Sequence, residues 1–211
     1  MAGHLFFDSN GCILWMQNRE ARPRTNTVEL ALQAKKGDPA AFDRLMELEQ
    51  ARVVRMASRL LVKSDDASDA AQEVFLRLYR HIERFDPAQH WDAWVYRICV
   101  NVCRDLNRKR RWRSLLSLDA WLEAGGATPV SVRRADEGVN ASELRRSLQE
   151  GLRLLPEKER AALVLRDVEG LAAAEASVAL GVREATVRSQ ACRARSRLRN
   201  FLLQRTGGSR L

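Results

Sequence analysis

Apolar residues recur at intervals of three and four along most of this chain, and that interval places them on one face of an α-helix. Two such stripes are formed by Val95, Cys99, Val102 and Leu106, and by Val187, Ala191, Ala194, Leu198 and Phe201. We find no sustained alternation of apolar and polar residues, which is the pattern of a half-buried strand. The sequence therefore predicts an all-α fold.

The helical periodicity is lost in one internal segment, which divides the chain. Residues 114–140 contain LEAGGATPVSVRRADEG, and a composition rich in Gly, Ala and Ser is typical of a flexible linker. Residues 28–113 and 141–205 are then two small helical domains on either side of it. Residues 1–27 show no helical pattern, and we interpret them as a disordered N-terminal extension.

The formal net charge of +9 is concentrated in two helical windows. Residues 97–113 hold seven basic residues and one acid, and residues 183–199 hold six Arg and one Glu. Residues 28–90, in contrast, hold ten basic and eleven acidic residues. Two basic helices on a neutral background predict two contacts with a polyanion.

The first basic window forms a polar ridge beside the first apolar stripe. The ridge residues recur at spacings of four and three, and they are Arg97, Asn101, Arg104, Arg108 and Arg111. Aromatic residues lie nearby, among them Trp94, Tyr96 and Trp112. Aromatic rings beside cations suit unpaired bases, because stacking contributes about 1–3 kcal/mol per base. The same rings are equally compatible with a core or rim position in the helical domain.

The second basic window has the outline of a helix-turn-helix. A short helix, LAAAEASVALG, ends at Gly181 and is followed by the basic amphipathic helix. Acids are almost absent from the polar face of that second helix, whereas a merely solvated face usually mixes both signs. We therefore favour DNA contact over a solvated face.

Other classes of function have weaker support. Cys99 and Cys103 lie one turn apart without a nearby His pair, so we predict no metal and no other cofactor. We find no phosphate loop, nucleophile elbow or paired metal-ligand motif, so an enzyme is the least supported class. A thiol or metal sensor using these residues with Cys12 and Cys192 remains an alternative. Without a signal peptide or an apolar run of about 20 residues, we expect a cytoplasmic protein that does not insert into membranes.

Three blocks of the sequence resemble the bacterial extracytoplasmic-function (ECF) sigma factors of RNA polymerase. They are DASDAAQEVFLRLYRHIERFD, WDAWVYRICVNVCRDLNRKRR and LRLLPEKERAALVLRDVEGLAAAEASVALGVREATVRSQACRARSRLR. The resemblance covers roughly residues 28–203 and is specific, because two unlike motif blocks follow in order across a linker. The chain departs from the family at Ala172, Ala173 and Ala176, where larger or polar residues are usual, and residues 1–27 match nothing in it.

The resemblance implies that the first domain corresponds to sigma domain 2 and the second to sigma domain 4. Core polymerase would be bound by Asp69, Gln72, Glu73, Phe75, Leu76 and Tyr79. The minus-ten promoter element would be melted and read by Trp91, Trp94, Arg97, Asn101, Arg104, Arg108 and Arg111, with Asn101 near the captured non-template base. The minus-thirty-five element would be read in the major groove by Arg183, Thr186, Arg188, Ser189, Gln190 and Arg193.

The resemblance also implies partners and regulation. The chain would be a non-enzymatic subunit that directs core RNA polymerase to promoter DNA and helps open it, and an anti-sigma protein would hold it inactive. The tail after Phe201 is too short for a fused regulatory domain, so we favour control by another chain over control by residues 1–27. The alternative is a stand-alone helix-turn-helix regulator of duplex DNA, which would have no use for the aromatic block at residues 91–112.

Overall fold

The computed structural model describes residues 6–7, 13–14, 24–88, 90–122 and 141–205, and the side chains of residues 27–113, apart from 64 and 89, and of residues 143–205. The fold is all-α, as predicted. Its described helices are α1 (Arg24–Lys35), α2 (Pro39–Leu60), α3 (Ala67–His81), α4 (Trp91–Leu122), α5 (Ala141–Leu154), α6 (Glu157–Leu163), α7 (Ala173–Leu180) and α8 (Glu184–Arg205). Short 3₁₀ turns lie at Ser64–Asp66 and Ile82–Arg84, and a π-helical turn at Val164–Val168.

Two short strands precede the helices. β1 (Phe6–Phe7) pairs antiparallel with β2 (Ile13–Leu14), with Phe6 opposite Leu14 and Phe7 opposite Ile13. The structure therefore differs from the interpretation of residues 1–27 as wholly irregular. The sequence does carry a signal for this pair, because Asn10-Gly11, a dipeptide typical of tight hairpins, lies between the two strands.

Helices α1 to α4 form a first helical unit around one apolar core. α1 begins at Arg24, earlier than the predicted start at residue 28. α2 begins as the sequence suggests, because the Asp38 carboxylate accepts hydrogen bonds from the backbone N–H groups of Ala40 and Ala41, at 2.9 and 3.3 Å, and Pro39 occupies the first helical position. In the apolar stripe of α4, Val95, Cys99 and Val102 are buried in this core and Leu106 is half-buried against it, which confirms that prediction.

Helix α4 is longer than the sequence predicts. It runs from Trp91 to Leu122, so residues 114–122 are helical where a linker is expected, and residues 123–140 of that linker lie outside the described part of the chain. Buried Asn107 joins α4 to the end of α2. Its Nδ2 donates to the carbonyl of Leu60 and its Oδ1 accepts from the backbone N–H of Val62, each at 3.1 Å.

Helices α5 to α8 form a second helical unit that contains the predicted helix-turn-helix. α7 ends at Gly181, whose φ of 66° lies in the left-handed region, and the backbone N–H of Val182 donates to the carbonyl of Ser177 at 3.2 Å. The apolar stripe of α8 is buried as predicted except at its last residue, Phe201, which is half-buried against the core. α5 packs closely on α8, and a Cβ at Gly151 would lie 2.5 Å from Leu198 Cδ1.

The two helical units contact each other. α4 packs against α7, and α2 packs against α5 and α6. Ion pairs also cross this boundary, among them Arg111 with Glu157 and Arg59 with Glu169. The second unit thus lies beside the helix that carries the first basic window.

Candidate nucleic-acid interface

Helix α4 presents the predicted polar ridge to solvent. Its exposed members are Arg97, Asn101, Arg104, Arg108 and Arg111. Two of them are engaged by one carboxylate of the second unit: Arg111 Nη2 donates to Glu157 Oε2 at 2.8 Å, and Arg104 Nε lies 3.7 Å from Glu157 Oε1. Such a row of guanidinium groups can hold successive backbone phosphates, which position a nucleic acid without reading its sequence.

An aromatic cluster forms the start of α4. Phe85 lies 5.1 Å from Trp91 and 5.4 Å from Trp94 between ring centroids, and the two Trp rings lie 5.4 Å apart. Trp91 is only 3% exposed, whereas Trp94 is half-buried. In this arrangement Trp91 is covered and contacts no DNA unless its neighbours move, which differs from its predicted place at the minus-ten surface. Trp112 is exposed toward the other end of the ridge.

A buried polar network lies where α4 meets the second unit. The Tyr96 hydroxyl donates to Glu169 Oε2 at 2.8 Å and accepts from Arg52 Nε at 2.9 Å. Arg52 Nη1 also donates to Asp92 Oδ1 at 2.7 Å. Burial raises the pKa of Tyr96 well above its ordinary value, and the adjacent Glu169 carboxylate raises it further. The phenol therefore stays protonated and acts as a donor to Glu169.

The minus-thirty-five surface predicted from the sequence lies on α8 and the turn before it. Its members Arg183, Arg188, Ser189 and Arg193 are exposed, and Thr186 is half-buried. Gln190 is only 7% exposed, so in this placement it is not free to reach DNA, contrary to expectation. Arg188 Nη1 lies 3.1 Å from Glu184 Oε2 in an exposed pair, which contributes roughly 0.3–0.5 kcal/mol and is easily exchanged for a DNA contact.

Besides Glu184, the polar face of α8 has acidic partners that lie on other elements of the second unit. Glu159 of α6 lies 3.5 Å from Arg193 Nε and 3.1 Å from Arg197 Nε. Asp167, in the π-helical turn, accepts two hydrogen bonds from Arg195, each at 2.7 Å. These pairs fix how α8 is held against the rest of its unit. The sequence pattern missed both acids, because their distance along the chain leaves no periodic signal.

Helix α3 presents a different surface. Asp69, Gln72, Leu76 and Tyr79 are exposed, and Glu73 and Phe75 are half-buried. Leu76 is 50% exposed and Tyr79 is 60% exposed, with the Tyr79 ring edge-on to Phe42 at 5.0 Å. Large exposed apolar side chains beside carboxylates suit a protein partner better than a phosphate backbone.

The cysteines offer little reactive surface in the first unit. Cys99 and Cys103 are buried on α4, Cys192 is exposed on α8, and Cys12 lies outside the described residues. A hydrogen bond with Cys103, together with burial, raises the pKa of the Cys99 thiol well above its ordinary value.

Within the described ranges no group of three or more His, Cys, Asp or Glu is placed to hold a metal ion. None of the described helices is long and apolar enough to cross a membrane.

Family comparisons assign both helical units. Residues 45–113 match sigma-70 region 2, and residues 145–198 match sigma-70 region 4. The chain is 36% identical over 169 residues to the ECF RNA polymerase sigma factor SigE of Mycolicibacterium smegmatis, which covers 79% of this chain and 64% of that protein. It is 32% identical over 177 residues to the ECF RNA polymerase sigma factor SigW of Bacillus subtilis, covering 81% and 93%. The chain thus spans slightly less than two thirds of the SigE relative and nearly all of SigW.

Solved structures show the same fold. CnrH, in complex with the cytosolic domain of CnrY, aligns with a TM-score of 0.60 and 26% identity over 84% of this chain and 97% of that one. The sigma factor RpoE of Bartonella quintana, in complex with the anti-sigma factor NepR, aligns with a TM-score of 0.59 and 22% identity over 76% and 96%, a likeness of fold. Together, the two region matches in order and the identity to SigW along most of its length show that this chain belongs to the ECF sigma factors of RNA polymerase.

Proposed function

We propose that this chain is a promoter-recognition subunit: it binds core RNA polymerase, directs it to one class of promoters and helps open them. The observation that carries the proposal is the presence of three distinct surfaces on one chain. They are the ridge on α4, the exposed face of α8 and the apolar-acidic face of α3. A regulator that binds duplex DNA alone needs only the second. In this proposal the chemistry of RNA synthesis belongs to the polymerase, and this chain provides recognition.

Residues 28–113 act as sigma domain 2 in this proposal. The exposed cations of the ridge hold phosphates of the minus-ten element, while Asn101 contacts the captured non-template base. In this proposal Trp94, half-buried at the aromatic cluster, stacks on a base next to the captured one. Opening the duplex is supported because unpaired bases find both stacking partners and cations on one helix.

Residues 141–205 act as sigma domain 4. α8 enters the major groove at the minus-thirty-five element, with Arg188 and Ser189 on its exposed face. The two acids behind α8, Glu159 and Asp167, set the angle at which this face is presented. In this proposal α8 reads the minus-thirty-five element, and its ion pairs with Glu159 and Asp167 orient it before DNA binds.

The face of α3 binds core polymerase in this proposal. Replacing Asp69 and Glu73 with Lys should abolish association with core polymerase, because the negative charges beside Leu76 and Tyr79 on α3 become positive. The measurement is co-purification of core polymerase with the tagged chain. The control replaces two acids of α5, Glu143→Lys with Glu150→Lys, and should co-purify normally. Normal co-purification of the α3 variant would remove α3 from the docking surface.

We also propose an anti-sigma protein as partner and the cytoplasm as the location. The support is that CnrH, the structural relative at 26% identity, is bound to the cytosolic domain of another protein. The surfaces on α4 and α8 are separate, so one inhibitor that contacts both units can block both promoter contacts. Capture of such a protein with the tagged chain, and its release when promoter-directed transcription begins, would test this partner.

Promoter opening gives the experiment for the function as a whole. Holoenzyme reconstituted from core polymerase and this chain should make thymines of the minus-ten region reactive to permanganate, and core polymerase alone should not. Asn101→Ala should reduce that reactivity while leaving binding to core polymerase unchanged. If duplex DNA is bound but no thymine becomes reactive with core polymerase present, the chain is a stand-alone helix-turn-helix regulator instead.

A further inference from the structure

Two carboxylates of the second unit are placed against the first unit. Glu157, at the start of α6, lies beside two cations of the α4 ridge, Arg111 at 2.8 Å and Arg104 at 3.7 Å. Glu169, after the π-helical turn, accepts from the Tyr96 hydroxyl at 2.8 Å and from Arg59 Nη1 at 3.2 Å. Both acids therefore join the domain proposed to bind the minus-ten element to the domain proposed to bind the minus-thirty-five element.

The Glu157 contact has the geometry of a phosphate contact. One carboxylate spans two guanidinium groups that lie two helical turns apart on the same exposed face, with one oxygen toward each. A backbone phosphate would bring the same charge and the same acceptor oxygens to these groups. Glu157 and a DNA phosphate thus compete for one position on the ridge.

The Glu169 contact differs because it is largely buried. Its side chain is 11% exposed, and its partner Tyr96 is buried as well. A buried carboxylate is costly unless it is paired, and the partners of Glu169 lie on the first unit. These bonds hold the units together, and they are lost to water when the units separate. Beside Glu169, Trp91 lines a pocket of about 170 Å³ that Leu171 and Glu175 of the second unit also line. The aromatic cluster at the start of α4 therefore lies at the edge of the same boundary.

The docking face on α3 stays outside this boundary. Leu76 and Tyr79 remain half or more exposed while Arg104, Arg111 and Tyr96 are engaged. The closed arrangement thus leaves the polymerase surface open and occupies part of the minus-ten surface.

We propose that the free chain latches itself: Glu157 and Glu169 hold the second domain on α4 and exclude nucleic acid from the minus-ten ridge until the domains separate. The inference rests on the proposed function, since it takes the ridge as a DNA surface. If only a fraction of the molecules is open at any time, the apparent affinity for DNA is the affinity of the open state multiplied by that fraction. Loss of the latch should then strengthen DNA binding, whereas loss of an ordinary structural contact would weaken it.

The test uses the full free chain and a fluorescein-labelled oligo(dT) about 20 nucleotides long, long enough for a single-strand site of this kind. Fluorescence anisotropy gives the dissociation constant, and small-angle X-ray scattering gives the radius of gyration. Glu157→Gln with Glu169→Gln should bind about three- to tenfold more tightly, because the removed pairs no longer compete. Its radius of gyration should increase by a few ångströms as the domains separate.

The control removes the same charge from two exposed positions of the same domain, Glu143→Gln with Glu150→Gln on α5, where the ion pair of Glu150 is with Arg205 of the same unit. It should show neither change, which separates the latch from a general loss of repulsion toward DNA. Glu157→Gln alone, at a surface pair, keeps the test interpretable if the double variant loses helix content by circular dichroism. The proposal is overturned if the latch variants bind no more tightly than the control.

Failure of the latch and failure of the proposed function give different results. Unchanged oligonucleotide affinity with normal promoter-directed transcription would reject the latch and leave the sigma-factor function intact. A gain in affinity and in radius of gyration, without any transcription by core polymerase, would support the latch and reject that function.

Discussion

The pair between Arg195 and Asp167 offers a sharp test of how α8 is held. We consider Asp167→Asn, which keeps the shape of the side chain and removes its charge. Two hydrogen bonds of 2.7 Å from one guanidinium reach this carboxylate, from Arg195 Nε and Nη2. The amide can accept through one oxygen only, so the substitution removes at least one charge-assisted bond.

The magnitude follows from the burial of the two groups. Removing one partner of a fully buried ion pair costs about 3–5 kcal/mol, and a hydrogen bond to a charged group contributes about 1.5–3 kcal/mol. Asp167 is 10% exposed but Arg195 is 23% exposed, so the guanidinium can regain water. We therefore expect the free energy of unfolding of the second unit to fall by about 2 kcal/mol.

Urea denaturation separates the two units because all five Trp residues lie between residues 15 and 121. Tryptophan fluorescence then follows the first unit and the boundary that Trp91 lines, while circular dichroism follows the helices of both units. Asp167→Asn should lower the stability seen by circular dichroism and change the fluorescence transition less. The matched control is Glu184→Gln, which removes an exposed pair with Arg188 and should cost at most about 0.5 kcal/mol. If the two variants are equally stable, the bidentate pair does not hold α8 as argued.

Three further substitutions test the packing and the promoter surface. Gly151→Ala should destabilise the second unit by about 1–2 kcal/mol in urea, because the new Cβ would lie 2.5 Å from Leu198 Cδ1 and this overpacking outweighs a gain of about 1 kcal/mol in helix propensity. Greater stability of the variant would show that α8 can shift to make room. Asn107→Ala should cost about 2–3 kcal/mol by tryptophan fluorescence, since two backbone groups lose their partner, and a loss below about 0.5 kcal/mol would contradict this. Arg188→Ala should weaken minus-thirty-five binding by about 1–3 kcal/mol in a gel-shift titration if the residue reads a base edge, and unchanged binding would place the groove-facing side elsewhere.

Much of the fold could be predicted from local pattern. The stripes on α4 and α8 are buried because their spacing matches the helix repeat, and the cap of α2 forms because Asp38 and Pro39 have suitable chemistry at a helix start. The polar ridge is exposed for the same reason, since it lies on the face opposite the core. Short-range periodicity carries all of this information.

The remaining features depend on contacts between distant residues. Glu157, Glu159, Asp167 and Glu169 look like ordinary surface acids in the sequence, yet each pairs with a cation or hydroxyl far along the chain. The burial of Gln190 depends in the same way on neighbours that periodicity does not identify. Pattern reasoning therefore located the basic helices and missed the acids that orient or occupy them.

The central claim is that this chain gives promoter specificity to core RNA polymerase. The most direct measurement is transcription of fragmented genomic DNA by core polymerase with and without the chain, followed by mapping of RNA 5′ ends. We predict a defined set of start sites that appears only with the chain, shares two upstream elements and is lost with Arg188→Ala or Asn101→Ala. Identical 5′ ends with and without the chain, while core polymerase is active, would contradict the claim.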